Sequence, residues 1–193
     1  MSTSNSLLQE QQIISDQEIL IAFNDASKKE KAFTWLLHRD QKKIYWFIRR
    51  MVIDHDDAND LVQEVFIKVW KSLAGFRGES KITTWLYRIA SNLTITFLEQ
   101  KKKKFSHIEL SEGDDLKEKL YSGTYCDGNK IQMKLQEAIL TLPNTQRLIF
   151  QLRYYDELKY EEISEITGTT VGGLKANYHI AAKKVEAFIK ETD

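Results

Sequence analysis

In the stretch TWLYRIASNLTITFLEQKKKK, residues 84–104, an indole, a phenol and a guanidinium stand within four positions, and four ammonium groups close the run. Aromatic faces beside cations hold the bases of single-stranded nucleic acid by stacking, and a lysine run neutralises phosphates in a salt-dependent way. Just upstream, FRGES (76–80) adds an aromatic, a cation and a glycine in what reads as a short loop. Asn92 adds an amide able to bond a base edge. Phe76, Arg77, Gly78, Ser80, Trp85, Arg88, Asn92, Lys101 and Lys102 together suit DNA that is partly duplex and partly opened, with Tyr87 as a further aromatic. A plainer reading suits the same residues. Trp85, Leu86 and Ile89 would then fill a core, and the lysines would be a solvated helix end favoured by the helix dipole.

A second cluster lies in YEEISEITGTTVGGLKANYHIAAKKV, residues 160–185. Ile163 and Ile166 face inward on a first helix, Gly168 supplies the positive φ of a tight turn, and Thr170 caps a second helix. Leu174, Tyr178, Ala181, Val185 and Ile189 share one face of that helix. Lys175, Ala176, His179 and Lys183 share another, a small, cationic, hydrogen-bonding face that fits a major groove. Gly172 and Gly173 weaken the helix start, which suits a backbone that approaches a phosphate closely. The alternative is an ordinary helical hairpin with a solvated basic side. A third cluster is LVQEVFIKVWKSL, residues 61–73. Here Gln63, Glu64, Lys68 and Lys71 form a polar side with Phe66 and Trp70 at i and i+4, either core residues or the margin of a protein-docking face.

The elements that must position these clusters are helices. One proline and eight glycines in 193 residues suit a helical chain, and apolar residues recur at helical spacing rather than in alternation. SDQE (15–18) reads as a capping box, and the acids of DHDDAND (54–60) favour the start of the next helix. Gly75 ends that helix, and Ser80 is placed to cap the following one. Periodicity fails over 106–130, which is polar, acidic at its centre and holds three of the glycines. It returns from Ile131, with Pro143 as a stop and restart. The expected fold is all-α: two small helical domains, 1–105 and 131–193, joined by a flexible linker, 106–130.

Other functions are less well supported. His38, His55, His107 and His179 are scattered, and there is no HExxH, CxxC or phosphate-binding glycine loop, so no catalytic residue, metal or cofactor is expected. The lone Cys126 excludes an internal disulfide and fits a reducing cytoplasm. No secretory leader or membrane-length apolar run is present. Lys and Arg total 28 against 28 Asp and Glu, so a polyanionic partner must be met by local charge. Two such stretches exist, 101–104 and 171–190. A helix-turn-helix regulator acting as a dimer is the competing reading, but it leaves the first domain without a role.

Two blocks carry a family resemblance. DANDLVQEVFIKVWKSLAGFRGESKITTWLYRIASN resembles region 2, and LPNTQRLIFQLRYYDELKYEEISEITGTTVGGLKANYHIAAKKV resembles region 4, of the extracytoplasmic-function (ECF) sigma factors of RNA polymerase, in the sigma-70 family. The resemblance implies a non-enzymatic initiation factor. Its partners would be core polymerase, through the beta-prime clamp and the beta flap, promoter DNA and an anti-sigma factor. By position, it assigns Asp60, Gln63, Glu64, Phe66, Lys68 and Trp70 to the clamp. It assigns the 76–92 residues to the −10 element, with Lys101 and Lys102 beside them. Thr170, Gly173, Lys175, Ala176, His179 and Lys183 go to the −35 element, and the linker runs through the RNA exit region. Two departures stand out. Lysines replace the usual arginines after Asn92, and Gly173, Asn177 and His179 replace residues common in region 4, so the base contacts differ from the family pattern.

Overall fold

The computed structural model describes residues 14–105, 116, 118–121 and 130–191, with the side chains of 104 and 105 left aside. The linker expected over 106–130, its acidic centre, Cys126 and His107 therefore lie largely or wholly outside the description. Leu116 and 118–121 are helical. Among the described residues all regular structure is helical: α1 (Asp16–Asn24), α2 (Lys29–Val52), α3 (His55–Ser72), α4 (Ile82–Phe105), α5 (Lys130–Leu140), α6 (Asn144–Tyr154), α7 (Tyr160–Thr167) and α8 (Val171–Glu191).

Local signals set the helix starts. Ser15 and Glu18 close the expected capping box, with Ser15 N–H donating to Glu18 Oε2 at 2.8 Å and Glu18 N–H to Ser15 Oγ at 3.2 Å. Asp54 Oδ1 accepts from Asp56 N–H and Asp57 N–H, each at 3.0 Å, which satisfies two of the unpaired donors of α3. Pro143, with φ −55°, leads into α6. Gly168 at φ 71° ends α7, its N–H bonded to Ser164 O at 2.8 Å. Ser80 departs from expectation. Its Oγ donates only a long 3.4 Å bond to Lys81 O, and the helix begins at Ile82, whose N–H is taken by Asp16 Oδ2 at 2.8 Å. A residue 66 positions upstream supplies the cap.

α1 to α4 wrap around Phe23, Leu36, Phe47, Met51, Val65 and Leu86. The same core continues into the second half through Leu148, Leu152, Ile163, Ile166 and Leu174. A smaller core holds Ile139, Phe150, Ala181 and Val185 of α5, α6 and α8. A third cluster joins Leu116 and Leu120 to Leu140 and to Ile53, just past the end of α2. Ile53 is buried at φ 66°, ψ −40°, and Asp54 N–H reaches Val52 O across it at 2.8 Å. This is a γ-turn of the rarer hand. A β-branched residue held there stores about 1–3 kcal/mol of strain, sustained by the packing around it.

Charged groups tie the two halves together. Arg50 of α2 donates through Nη2 to both oxygens of Asp156, at 2.9 and 3.0 Å, and through Nε to Gln151 Oε1 at 2.9 Å. Tyr87 of α4 donates its phenol hydrogen to Asp156 at 3.0 Å. Gln136 Nε2 donates to Arg50 O at 3.0 Å, and Arg147 Nη2 caps the end of α5 through Leu140 O at 2.8 Å. Burial raises the Asp156 carboxyl above its ordinary value despite the Arg50 charge. Burial also pushes the Tyr87 phenol well up, with the Asp156 charge adding to the effect.

Asp54 is one acid-sensitive element of the first half, where the Glu18 and Asp25 carboxyls are lowered too. Burial raises its carboxyl, but the N–H of Asp57, the Lys119 ammonium at 3.1 Å and the N–H of Asp56 outweigh that, leaving it below the ordinary 3.8. A lowered folded value means stability present above the unfolded value and lost as pH falls through the folded one. Asp54→Ala should cost about 1 kcal/mol at neutral pH. Urea unfolding in acid and at neutrality should show the wild type losing more stability with acid than the variant.

Candidate nucleic-acid interface

Three surfaces carry the residues singled out in the sequence. On α3, Asp60, Gln63, Glu64 and Lys68 are exposed along one side, while Phe66 is buried and Trp70 half-buried. The two rings are held by Phe33, edge-on at 6.3 Å to Phe66 and 5.0 Å to Trp70. Beside them opens an apolar groove of about 370 Å³, lined by Phe33, Leu37, Val62, Phe66, Ile67 and Trp70 with Gln41 and Gln63. Ile67, 54% exposed on its rim, was not singled out by sequence because a lone apolar residue between polar ones carries no periodic signal. Such a face, apolar at its centre and polar at its margin, suits a protein partner.

The second surface surrounds the start of α4. Phe76 lies against Trp85 with ring centroids 5.2 Å apart, both half-buried, so Trp85 is part core and part surface as expected. Gly78 turns the loop at φ 71°, a conformation that strains any side-chain-bearing residue. Arg77 is 82% exposed, and Arg88 and Asn92 also face outward. A hollow of about 270 Å³ is lined by Glu79, Ser80, Thr84, Trp85, Arg88 and, from α7, Glu165.

Two residues of this stretch do other work than expected. Tyr87 is no stacking platform: it is buried edge-on against Phe47 at 5.3 Å and bonded to Asp156. Helical spacing puts it nearly opposite Trp85 and about 100° round from Arg88. Lys101 is engaged with Asp57 of α3 at 2.9 Å and lies over Phe97, with its side chain only 14% exposed. It braces α4 against α3, whereas Lys102 stands in solvent. The Lys104 side chain lies outside the described residues.

The α4 start is fixed from behind by an ion network. Arg39 meets Asp16 Oδ1 at 2.8 Å and Asp40 Oδ2 at 2.9 Å, and Thr83 Oγ1 donates to Asp40 Oδ1 at 3.1 Å. Asp40 is fully buried, so both of its oxygens need these donors. No local motif announces the network, because its members lie on three helices.

The third surface is the outer face of α8. Lys175, Ala176, His179 and Lys183 are all exposed, one above the other along the helix, while Leu174, Ala181 and Val185 are buried beneath. Thr170 Oγ1 accepts from Gly173 N–H at 3.2 Å, confirming the cap. Gly173 has a packing reason. A Cβ there would sit 3.2 Å from Thr170 Oγ1 and 3.3 Å from Thr169 Cγ2, so a side chain would crowd the cap. Gly172 faces open space. Asn177 turns back to Gly173 O at 2.9 Å, and Lys184 reaches Gln146 of α6 at 3.1 Å. The acids of α7 point elsewhere, Glu162 to Lys81 at 2.8 Å and Glu165 to the hollow on α4.

Known proteins share this arrangement. Residues 36–104 match the family model of sigma-70 region 2, and 132–185 match that of sigma-70 region 4. The ECF RNA polymerase sigma factor SigW of Bacillus subtilis (strain 168) is 33% identical over 162 residues, covering 78% of this chain and 84% of its own length. The chain belongs to the ECF sigma factors. The ECF RNA polymerase sigma-E factor of Escherichia coli (strain K12) is 32% identical over 165 residues, covering 81% of this chain and 86% of that protein. Among solved structures, the sigma factor RpoE in complex with the anti-sigma factor NepR from Bartonella quintana superposes with a TM-score of 0.67 at 20% identity. It covers 83% of this chain and 98% of that one. CnrH in complex with the cytosolic domain of CnrY gives 0.66 at 19% identity, covering 92% and 99%. As an ECF sigma factor the chain binds core RNA polymerase and promoter DNA and directs transcription initiation.

For this sigma factor, Asp16→Ala removes the cap of α4 and one partner of Arg39. Stability should fall by about 1 kcal/mol. Open-complex formation should fall with it, while affinity for core polymerase should not change. Permanganate footprinting and a core-binding titration on the same preparation check both.

Proposed function

We propose that the three surfaces divide the work of initiation. The exposed side of α3, with Asp60, Gln63, Glu64 and Lys68 above the groove walled by Phe66 and Trp70, docks on the polymerase clamp. Phe76, Arg77, Gly78, Ser80, Trp85, Arg88 and Asn92 take the non-template strand of the −10 element, stacking a base on the Phe76–Trp85 pair and meeting phosphate with Arg77 and Arg88. Lys102 extends that charge, and Lys101 acts by bracing the helix. Lys175, Ala176, His179 and Lys183 enter the major groove at the −35 element, with Thr170 and Gly173 fixing the helix start. Region 2 then spans 1–105 and region 4 spans 131–193, with 106–130 crossing between them. The observation that carries this reading is the half-buried Phe76–Trp85 pair beside exposed Arg77 and Arg88. A pure core would bury such rings.

The chain acts without catalytic chemistry of its own, in the cytoplasm. No helix among the described residues is long and apolar enough to cross a membrane. Two structural neighbours are held by anti-sigma factors. A protein of that kind is the regulator proposed here, covering the α3 groove so that polymerase cannot.

Alanine variants assayed as reconstituted holoenzyme separate the roles. Trp85→Ala should leave core binding intact and lower promoter opening by about tenfold, in line with the loss of one base–aromatic stack. Lys175→Ala should weaken duplex binding at the −35 element and reduce the salt slope by about 1. If Trp85→Ala lowered duplex capture and spared opening, the −10 assignment would be wrong.

A further inference from the structure

We propose that the outer face of α2 is a separate binding surface for single-stranded nucleic acid, with Lys31, Trp35, His38, Lys42 and Trp46 as its contact row. The row shares no residue with the surfaces assigned above to the −10 and −35 elements and stands independently of them.

α2 carries seven Lys and Arg against two acids, a larger excess of cations than α4, with five against one, or α8, with four against two. The charge is spread from Lys29 to Arg50, so no dense run marks it in the sequence. The inward side of the helix holds Leu36, Ile44, Phe47, Ile48 and Met51. At about 100° per residue, Lys31, Trp35, His38, Lys42 and Trp46 fall within an arc of about 80° on the other side. Trp35 is half-buried and the other four are exposed, Trp46 by 43%. Cations and flat rings thus succeed one another along about 22 Å of helix. Lys31 lies over the Trp35 ring, 5.3 Å from its centroid. Among the described residues no carboxylate pairs with Lys31 or Lys42. Exposed lysines elsewhere do find acids, Lys68 with Glu64, Lys81 with Glu162 and Lys190 with Glu186. A row of unmatched cations calls for an anionic partner.

Beside the row a hollow of about 280 Å³ opens between α2 and α3, with His38, Gln41, Lys42, Tyr45 and Asn59 among its walls. A hydrogen-bonded chain fixes two of them. Tyr45 Oη stands 2.8 Å from His55 Nδ1, and Asn59 Nδ2 stands 3.0 Å from His55 Nε2. With the amide donating, Nε2 accepts and Nδ1–H donates to the phenol oxygen. That leaves Asn59 Oδ1 and the Tyr45 hydroxyl hydrogen for a guest. Trp46 meets Tyr45 edge-on at 5.3 Å, so row and hollow are continuous. An unstacked base is a guest of this kind: flat, with donors and acceptors on its edge, and tied to phosphates that Lys31 and Lys42 neutralise. A duplex offers phosphates but keeps its bases stacked, which leaves the rings unused. A bilayer surface matches less well, because Leu36, Ile44 and Ile48 are turned into the core and the row keeps only two indoles as apolar anchors.

Fluorescence anisotropy of the full chain with dye-labelled oligothymidine and oligouridine, each of about 15 nucleotides, tests the surface. Both single strands should bind, and a duplex of the same length about tenfold more weakly. Tighter binding of oligouridine identifies RNA as the natural strand through its 2′-OH, and equal or tighter binding of oligothymidine identifies DNA. Trp46→Ala should lower single-strand affinity by about tenfold, in line with the loss of one base–aromatic stack. Lys31→Ala combined with Lys42→Ala should reduce the log–log salt slope by about 1.4. All three positions are exposed, and affinity for core polymerase, titrated on the same preparations, should not change. Absence of binding by the wild type, equal binding of duplex and single strand, or a folded Trp46→Ala variant with unchanged affinity overturns the proposal. So does a loss of core affinity in place of strand affinity, which would assign the row to polymerase docking. Competition by polyglutamate as strong as by oligothymidine would also overturn it, since charge alone would then account for binding.

Discussion

A carboxylate taken out of water must be matched, and in this molecule Asp156 is matched by residues from the other half of the chain. Its side chain is 10% exposed and that of Arg50 14%. Breaking such a pair by removing one partner costs about 3–5 kcal/mol, because the remaining charge stays buried. The position of α6 and α7 against α2 and α4 follows from this requirement. With that position set, Leu148, Leu152, Ile163 and Ile166 join the core of the first half, and Lys81 finds Glu162. Buried apolar area supplies the attraction, which has no direction. The bonds to Asp156 fix the angle and register.

The same logic operates at each surface that meets a partner. Asp40, fully buried, is matched by Arg39 and Thr83, and Arg39 in turn holds Asp16 against the first N–H of α4. The α4 start is therefore held by charge from behind, which leaves Trp85 and Arg88 free to face outward. Lys101 and Asp57 brace the far end of α4 on α3. The two helices proposed to carry the polymerase face and the DNA face are thereby braced against each other. On α8 the arrangement is simpler: a buried stripe beneath, an exposed cationic row above, and a turn at Gly168 that sets the helix angle.

Much of the fold was legible in the sequence, because it is written locally. The Ser15–Glu18 box, the Asp54 cap, Gly168 and the Thr170 cap are each read within four residues and are each present. The exposed row on α8 follows from helical spacing alone. What was not legible depends on pairs far apart in the chain. Arg50 and Asp156 are 106 positions apart, and Ile82 and Asp16 are 66, so no window contains both partners. Tyr87 looked like a base platform because it stands between Trp85 and Arg88. Spacing along a helix does separate it from Arg88, but only the fold shows that a carboxylate waits for it. Lys101 was counted with its neighbours as a phosphate contact, although its ammonium pairs with Asp57. Gly173 also has a packing reason that no local pattern announces, the nearness of Thr169 and Thr170.

The distance between the halves, with and without the Asp156 carboxylate, decides the central claim. Spin labels at Lys42→Cys on α2 and Glu186→Cys on α8, in a Cys126→Ser background, allow it to be measured by double electron–electron resonance. A chain fixed through Asp156 should give one narrow distance, replaced by a broader distribution in Asp156→Ala. A broad distribution in the chain that keeps Asp156, or the same narrow distance in the variant, would contradict it.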